Sequence, residues 1–224
     1  MRKLNLIIDF DSTFIKTEAL EELSKIIFKN NPAKEKIIKE IEKITQLGME
    51  GKITFTQSLT SRLKILSPEK KHINLLIKKL KKQISKSAIA NRQNFAEFSQ
   101  SIFLISGGFA DYILPVVKDF GIPNSHIFAN TFVYDKNGSI KSPDLKNPLT
   151  TSEGKYQVVK NKKLSGKTIV IGDGFTDYLI KEKGAADEFW LFTENVLRKN
   201  LLPKANRVIK SFDEFFTLVK SDKI

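Results

Sequence analysis

The chain has 224 residues, 41% of them apolar, with 38 Lys+Arg against 25 Asp+Glu (net charge +13) and no cysteine. That length accommodates one large domain, or one domain with a smaller one inserted, around a real core. The missing cysteine excludes disulfides, thiolate metal sites and cysteine nucleophiles, and no run of about 20 apolar residues exists to form a membrane span.

The first element is Leu4-Asn5-Leu6-Ile7-Ile8, an apolar run that reads as a buried strand. It begins too close to Met1 for a signal peptide to be expected. It ends in two carboxylates one residue apart, Asp9 and Asp11. Carboxylates at the end of a buried strand lose hydration and need a cation or donors to offset that loss. A divalent metal there would provide the offset. It would leave one aspartate as a credible nucleophile and the other for proton transfer.

A helix follows from about Glu18 to Lys29, with Ala19, Leu20, Leu23, Ile26 and Ile27 at helical spacing. A second runs from Lys34 to Leu47. Thr54 and Gln57 have capping-box spacing and open a third, to about Ile65. Ser67-Pro68 opens a fourth, with Ser as N-cap and Pro at the first helical position. Residues 16–87 thus read as a helical block. Ser85 to Ser101 carries no pattern that fixes its course.

Ile102-Phe103-Leu104-Ile105 is a short strand, followed by Ser106-Gly107-Gly108 and a helix through Gly121. Phe128 to Ile140 reads as a hairpin turning at Asn137-Gly138. Glu153 to Asn161 is helical. Thr168-Ile169-Val170-Ile171 is a strand running into Gly172-Asp173-Gly174 and a helix from about Thr176. Phe189–Phe192 and Arg207–Ile209 are further strands, and a last helix follows Ser211, with Glu214 in capping-box spacing.

Short apolar strands alternating with helices predict an α/β fold, a parallel sheet with helices on both faces. The helical block sits after the first strand, at the strand end where ligands bind in open α/β sheets. Three strands end in polar clusters: Asp9/Asp11, Ser106-Gly107-Gly108, and Asp173 with Asp177. In a parallel sheet all three emerge along one edge. The aspartates would form an oxygen-rich site for a hard cation such as Mg²⁺. Ser106 and the glycine amides precede a helix, a natural phosphate site. Each cluster alone is a common turn; the three in this order are far more specific.

Asp9-Phe10-Asp11-Ser12-Thr13, Ser106-Gly107-Gly108-Phe109, Lys155 and Gly172-Asp173-Gly174-Phe175-Thr176-Asp177 resemble the four motifs of the haloacid-dehalogenase (HAD) superfamily phosphatases. Glu18, the segment Met49-Glu50-Gly51-Lys52-Ile53-Thr54-Phe55, and Arg62 within Thr60-Ser61-Arg62-Leu63 narrow the resemblance to the phosphoserine phosphatase family. It implies a Rossmann-like core over residues 1–15 and 88–224 and a helical cap over 16–87. It implies Mg²⁺-dependent hydrolysis of a phosphomonoester, the last step of serine biosynthesis. Asp9 would be the nucleophile, forming an aspartyl-phosphate, and Asp11 the general acid and base. Asp9, the Asp11 carbonyl and Asp173 would hold the metal, with Asp177 orienting ligands from behind. Ser106, Gly107 and Lys155 would hold the phosphoryl oxygens, Lys160 being the fallback for the lysine. Arg62 would pair with the substrate carboxylate and Glu18 with its ammonium. Met49 and Phe55 would close apolar surface over the site. Thr176 stands where many relatives carry Asn, keeping a hydroxyl but losing the amide donor. His72 and His126 receive no role.

The resemblance leaves open a relative acting on another small phosphate ester, or a non-enzymatic basic binder on the same fold. The lysines are dispersed, and only Arg2, Arg62, Arg92, Arg198 and Arg207 offer a bidentate fork. The charge therefore reads as a solvated surface, with neither nucleic acid nor membrane as partner. The expectation is a cytoplasmic monomer or homodimer acting on a small phosphorylated molecule.

Overall fold

A computed structural model describes residues 3–49 and 52–221, the side chain of Met49 excepted. The first strand, β1 (Leu4–Ile8), is followed by a wide turn over Phe10–Phe14. Four helices come next: α1 (Ala19–Ile27), α2 (Lys34–Met49), α3 (Phe55–Leu66) and α4 (Lys70–Leu80). The chain continues through α5 (Lys86–Ala90), α6 (Arg92–Glu97), β2 (Ile102–Phe109), α7 (Ala110–Val117), β3 (Ile127–Asn130), β4 (Phe132–Tyr134) and β5 (Ile140–Pro143). It closes with α8 (Gly154–Lys162), β6 (Lys167–Gly172), α9 (Phe175–Glu182), β7 (Glu188–Phe192), β8 (Arg207–Ile209) and α10 (Phe212–Lys220).

Six strands form one sheet in the order β3-β2-β1-β6-β7-β8, every pair parallel. Side chains alternate between its faces, as the two-residue period of a strand requires. Ile7, Ile105, Val170, Phe189 and Leu191 point to one face and pack with Val159 of α8 and Ile180 of α9. Leu6, Ile8, Leu104, Ile169, Ile171 and Trp190 point to the other, against α7, α10 and the helical block. Both faces are covered, which is why the strands read as unbroken apolar runs. β1 and β6 lie side by side at the centre, in register from Leu4 against Lys167 to Ile8 against Ile171. Asp9 and Asp173 therefore leave the same sheet edge on adjacent strands.

The block α1–α4 leaves and rejoins the sheet through one narrow neck. Ile15 bridges Ile84 antiparallel, Lys16 N donates to Gln83 O (2.8 Å) and Ser85 N donates to Phe14 O (3.0 Å). Within the block the Thr54 capping box forms: Gln57 N donates to Thr54 Oγ1 (3.1 Å) and Thr54 N to Gln57 Oε1 (2.9 Å).

Two expected elements are placed differently. Ser67 does not cap α4; it ends α3 in the left-handed region (φ 39°, ψ 59°), its amide donating to Leu63 O. α4 starts at Lys70, with the Glu69 amide donating to His72 Nδ1 (3.1 Å). Phe128 belongs not to a hairpin but to β3, the edge strand beside β2. The hairpin is β4–β5, turning over 135–139 with Gly138 at φ 77°. The unassigned stretch 85–101 forms α5 and α6. Phe95 of α6 is fully buried and meets Phe14, Phe120, Phe212 and Phe216 edge-on, at centroid distances of 5.0 to 5.5 Å.

Candidate functional site

The turn after β1 sets the geometry of the site. Phe10 and Phe14 are fully buried and stack on one another at 6.1 Å, anchoring both ends of the turn. Between them Ser12 is forced to φ 55°, a strained conformation for a residue with a side chain. Asn195 Nδ2 donates to the carbonyls of Ser12 and Thr13 and to Ser85 Oγ (3.1, 3.2 and 2.8 Å), clamping the turn from the loop after β7.

Asp9, Asp173 and Asp177 are buried, and one carboxylate oxygen from each lies within 4.8 Å of the others. Gly172 allows this crowding, because a methyl group there would come 2.3 Å from the Asp177 carboxylate. Two cations enter the cluster. Lys155, second residue of α8, is buried and donates to Asp9 Oδ1 (2.5 Å) and Asp177 Oδ1 (2.7 Å). Arg198 Nε donates to Asp173 Oδ2 (2.8 Å) and its Nη2 lies 3.8 Å from Glu18. Burial pushes Asp173 up to about 7, further helped by the Asp9 charge and opposed by Arg198. Burial and Asp9 likewise push Asp177 up to about 7 against the pull of Lys155. Three buried carboxylates crowded together and offering only oxygen donors suit a hard divalent cation, which would supply the missing positive charge.

Asp11 stands apart from that trio. Its Oδ1 accepts from Ala19 N (2.7 Å), and burial, then Glu18 and Asp9, hold its carboxyl well above the usual range. Glu18 accepts from Ser12 Oγ (2.7 Å) and is raised by burial.

Ser106 is fully buried, its Oγ accepting from Gly108 N (2.9 Å). The Phe55 ring lies over Gly107, so closely that a methyl there would stand 2.6 Å from it. Thr56 Oγ1 donates to Thr150 O (2.7 Å), and Phe55 N to Ser152 Oγ (3.3 Å). The N-terminus of α3 is thus docked on the loop before α8. Arg62, two turns further along α3, is 6% exposed, donates to Ser58 O (3.2 Å) and Thr45 Oγ1 (3.4 Å), and is lowered by burial. Among the described residues no carboxylate forms an ion pair with it.

These groups line one cavity of about 70 Å³, which holds Asp9, Asp11, Glu18, Phe55, Arg62, Ser106, Gly107, Lys155, Asp173, Thr176 and Asp177 together. Met49, with Glu50 and Gly51, lies outside the residues whose side chains are described. Lys160 is not at the site; it lies over the Tyr156 ring at 5.5 Å. His126 meets Ile102 O (3.0 Å) and stacks on Phe103. A larger groove of about 790 Å³ between α1 and α4 is lined by Lys29, Lys71, His72, Leu75 and Lys78 but by no carboxylate.

Arg198 and Tyr112 also line or reach this site without a sequence motif that marks them. Arg198 had one available signal: it is a scarce arginine in the loop after β7, on the sheet edge where the aspartates emerge. Tyr112 had none beyond its place in an apolar helix.

No protein-family model matches the chain. Curated relatives do. Human phosphoserine phosphatase is 31% identical over 209 residues, spanning 92% of this chain and 88% of that protein. The Drosophila melanogaster phosphoserine phosphatase is 29% identical over 210 residues, 92% of this chain and 74% of its own. Among solved structures, a phosphoserine phosphohydrolase-like protein from Francisella tularensis superposes with a TM-score of 0.84 at 34% identity, covering 96% of this chain and 99% of that one. With an all-parallel α/β sheet, aspartates at the ends of its central strands and this similarity over nearly its whole length, the chain belongs to the phosphoserine phosphatase family of HAD phosphatases.

Proposed function

We propose that the chain hydrolyses O-phosphoserine to serine and phosphate. The observation that carries the substrate is Arg62, a guanidinium sealed inside the cavity with no ion-pairing carboxylate among the described residues. A buried cation without a counter-ion is costly, and a ligand carboxylate would complete it bidentately. Glu18, on the same cavity, would take the substrate ammonium.

In this reading an Asp9 oxygen attacks phosphorus, and the seryl oxygen leaves with the proton that Asp11 supplies. Asp11 then takes a proton from water. The resulting hydroxide attacks the aspartyl-phosphate, the Asp9–phosphorus bond breaks, and inorganic phosphate leaves. Lys155, Ser106 and the Gly107 amide hold the phosphoryl oxygens. Asp9, Asp173 and the Asp11 carbonyl are the groups that would hold Mg²⁺, with Asp177 orienting them from behind; when bound, the ion offsets the repulsion between an anionic nucleophile and an anionic substrate. Residues 16–87 act as a cap over a core of 1–15 and 88–224, with Phe55 pressed on Gly107 as its point of closure. Thr176, on the cavity wall, contributes a hydroxyl to the substrate. The cysteine-free chain suits a cytoplasmic setting, as a monomer or homodimer.

The test is phosphate release across a panel of phosphorylated metabolites, with Mg²⁺ and with a chelator. O-phosphoserine should be preferred and the chelator should abolish release. Preference for a substrate without a carboxylate would sink the reading of Arg62.

A further inference from the structure

We propose that the Tyr112 hydroxyl is a second, specificity-determining hydrogen-bond donor to the substrate carboxylate, working beside Arg62. This rests on the phosphoserine reading and deepens it.

Tyr112 is the third residue of α7, whose start follows Ser106-Gly107-Gly108-Phe109 directly. A helical side chain points back toward its own N-terminus, so the tyrosine folds over the C-terminal end of β2. A methyl group on Gly108 would lie 2.7 Å from the Tyr112 oxygen and 3.1 Å from Ser106 Oγ. The ring is held by Phe10 and Phe109, each at a centroid distance of 6.2 Å, which fixes where the hydroxyl stands. It lines the same cavity as Arg62 and Leu59.

The side chain is 0% exposed, yet its hydroxyl has no hydrogen-bond partner among the described residues. The nearby Phe109 amide could only donate to it, so nothing accepts its proton. An orphaned buried hydroxyl is unfavourable and uncommon. Facing a ligand cavity, it marks the place of an absent acceptor. Its charged surroundings are Asp11, Arg62 and Glu18. Burial holds the phenol well above its ordinary range, so it remains a donor.

Phosphoserine offers three kinds of acceptor, the phosphoryl oxygens, the seryl oxygen that takes the proton of Asp11, and the carboxylate, and its ammonium can only donate. The phosphoryl oxygens already meet Lys155, Ser106 and the Gly107 amide. The carboxylate is the acceptor that remains, and Arg62 is the cation that would bring it to Tyr112.

The experiment is Tyr112→Phe, which removes one oxygen and keeps the ring. Steady-state kinetics would use O-phosphoserine and O-phosphoethanolamine, which keeps the ammonium but lacks the carboxylate. KM for phosphoserine should rise roughly ten- to a hundredfold, the range for a hydrogen bond to a charged group, and the preference for phosphoserine should fall by the same factor. Equal losses on both substrates, or no loss on phosphoserine in an active wild type, would overturn the role of Tyr112 and leave the phosphoserine reading standing. A wild type inactive on phosphoserine would remove both. The ligand-free variant should melt no lower than wild type, because no described protein group accepts from the hydroxyl. A clear drop in Tm would contradict that premise and overturn the proposal.

Discussion

The helical block buries two charges in opposite ways. Glu22 on α1 is 4% exposed and accepts from Lys25 and Lys79, both at 2.6 Å. Its two lysines lower its proton affinity despite burial. Arg62 on α3 is 6% exposed and, among the described residues, donates only to a carbonyl and a hydroxyl, and burial lowers its proton affinity. One charge is better off for being where it is, and the other is worse off. Glu22 holds α1 to α4 and does not line the cavity. Arg62 faces the aspartates. A buried charge left incomplete identifies the region built for a ligand, whereas a completed one identifies the region built for the fold.

Asp9 is the hardest case for that distinction. It has a cation at 2.5 Å, Lys155, so pairing alone would class it with Glu22. The lysine is shared with Asp177, however, and Asp173 crowds the same space, so the cluster has more carboxylates than its cations complete. Asp9→Asn should therefore give the largest effect of any single change. Phosphate release should fall by at least roughly 10⁴-fold, as for a removed nucleophile, while circular dichroism remains that of the folded chain. A variant retaining even a tenth of wild-type turnover would remove Asp9 from the chemistry.

Arg62→Ala comes next and tests the comparison directly. KM for phosphoserine should rise roughly a hundredfold or more, the scale for losing one partner of a buried charged contact. O-phosphoethanolamine should lose far less. Stability should move the other way: Arg62→Met, which fills the space without the charge, should melt at or above the wild-type temperature, by about 1 kcal/mol. If Arg62→Met unfolds the cap, the guanidinium is structural after all and belongs with Glu22.

How far the sequence carries depends on whether a signal is local. The aspartates, Ser106-Gly107-Gly108 and Asp173 are readable because each follows an apolar run directly, and parallel strands bring their C-terminal ends together. Arg198 reaches the same cluster from a loop with no periodic pattern. Tyr112 sits where an aromatic is ordinary core, and only its unpartnered oxygen distinguishes it. α5 and α6 were hidden because each is a turn or two long, too short for an apolar stripe. What holds α6 is tertiary: Phe95 in a cluster built from four distant segments. Phe128 reads as a hairpin residue because an edge strand and a hairpin arm share the same residue preferences, and a turn signal at Asn137-Gly138 lies nearby.

Glu22→Gln should have the smallest effect, confined to stability. Lys25 and Lys79 keep much of their exposure, 40% and 36%, so water takes over from the lost carboxylate, and the cost is about 1 kcal/mol. The sign of its pH dependence follows from the lowered proton affinity. A carboxylate whose pKa lies below its ordinary 4.5 in the folded state stabilises fully above that value and loses the contribution as pH falls through the folded value. The melting temperatures of wild type and Glu22→Gln should differ at pH 6 and converge in acid, below the folded pKa of Glu22. Turnover at pH 7 should match wild type, since Glu22 touches nothing in the cavity. A change in KM for phosphoserine would show instead that the α1–α4 contact sets how the cap closes, and the division between a charge for the fold and a charge for the ligand would fail.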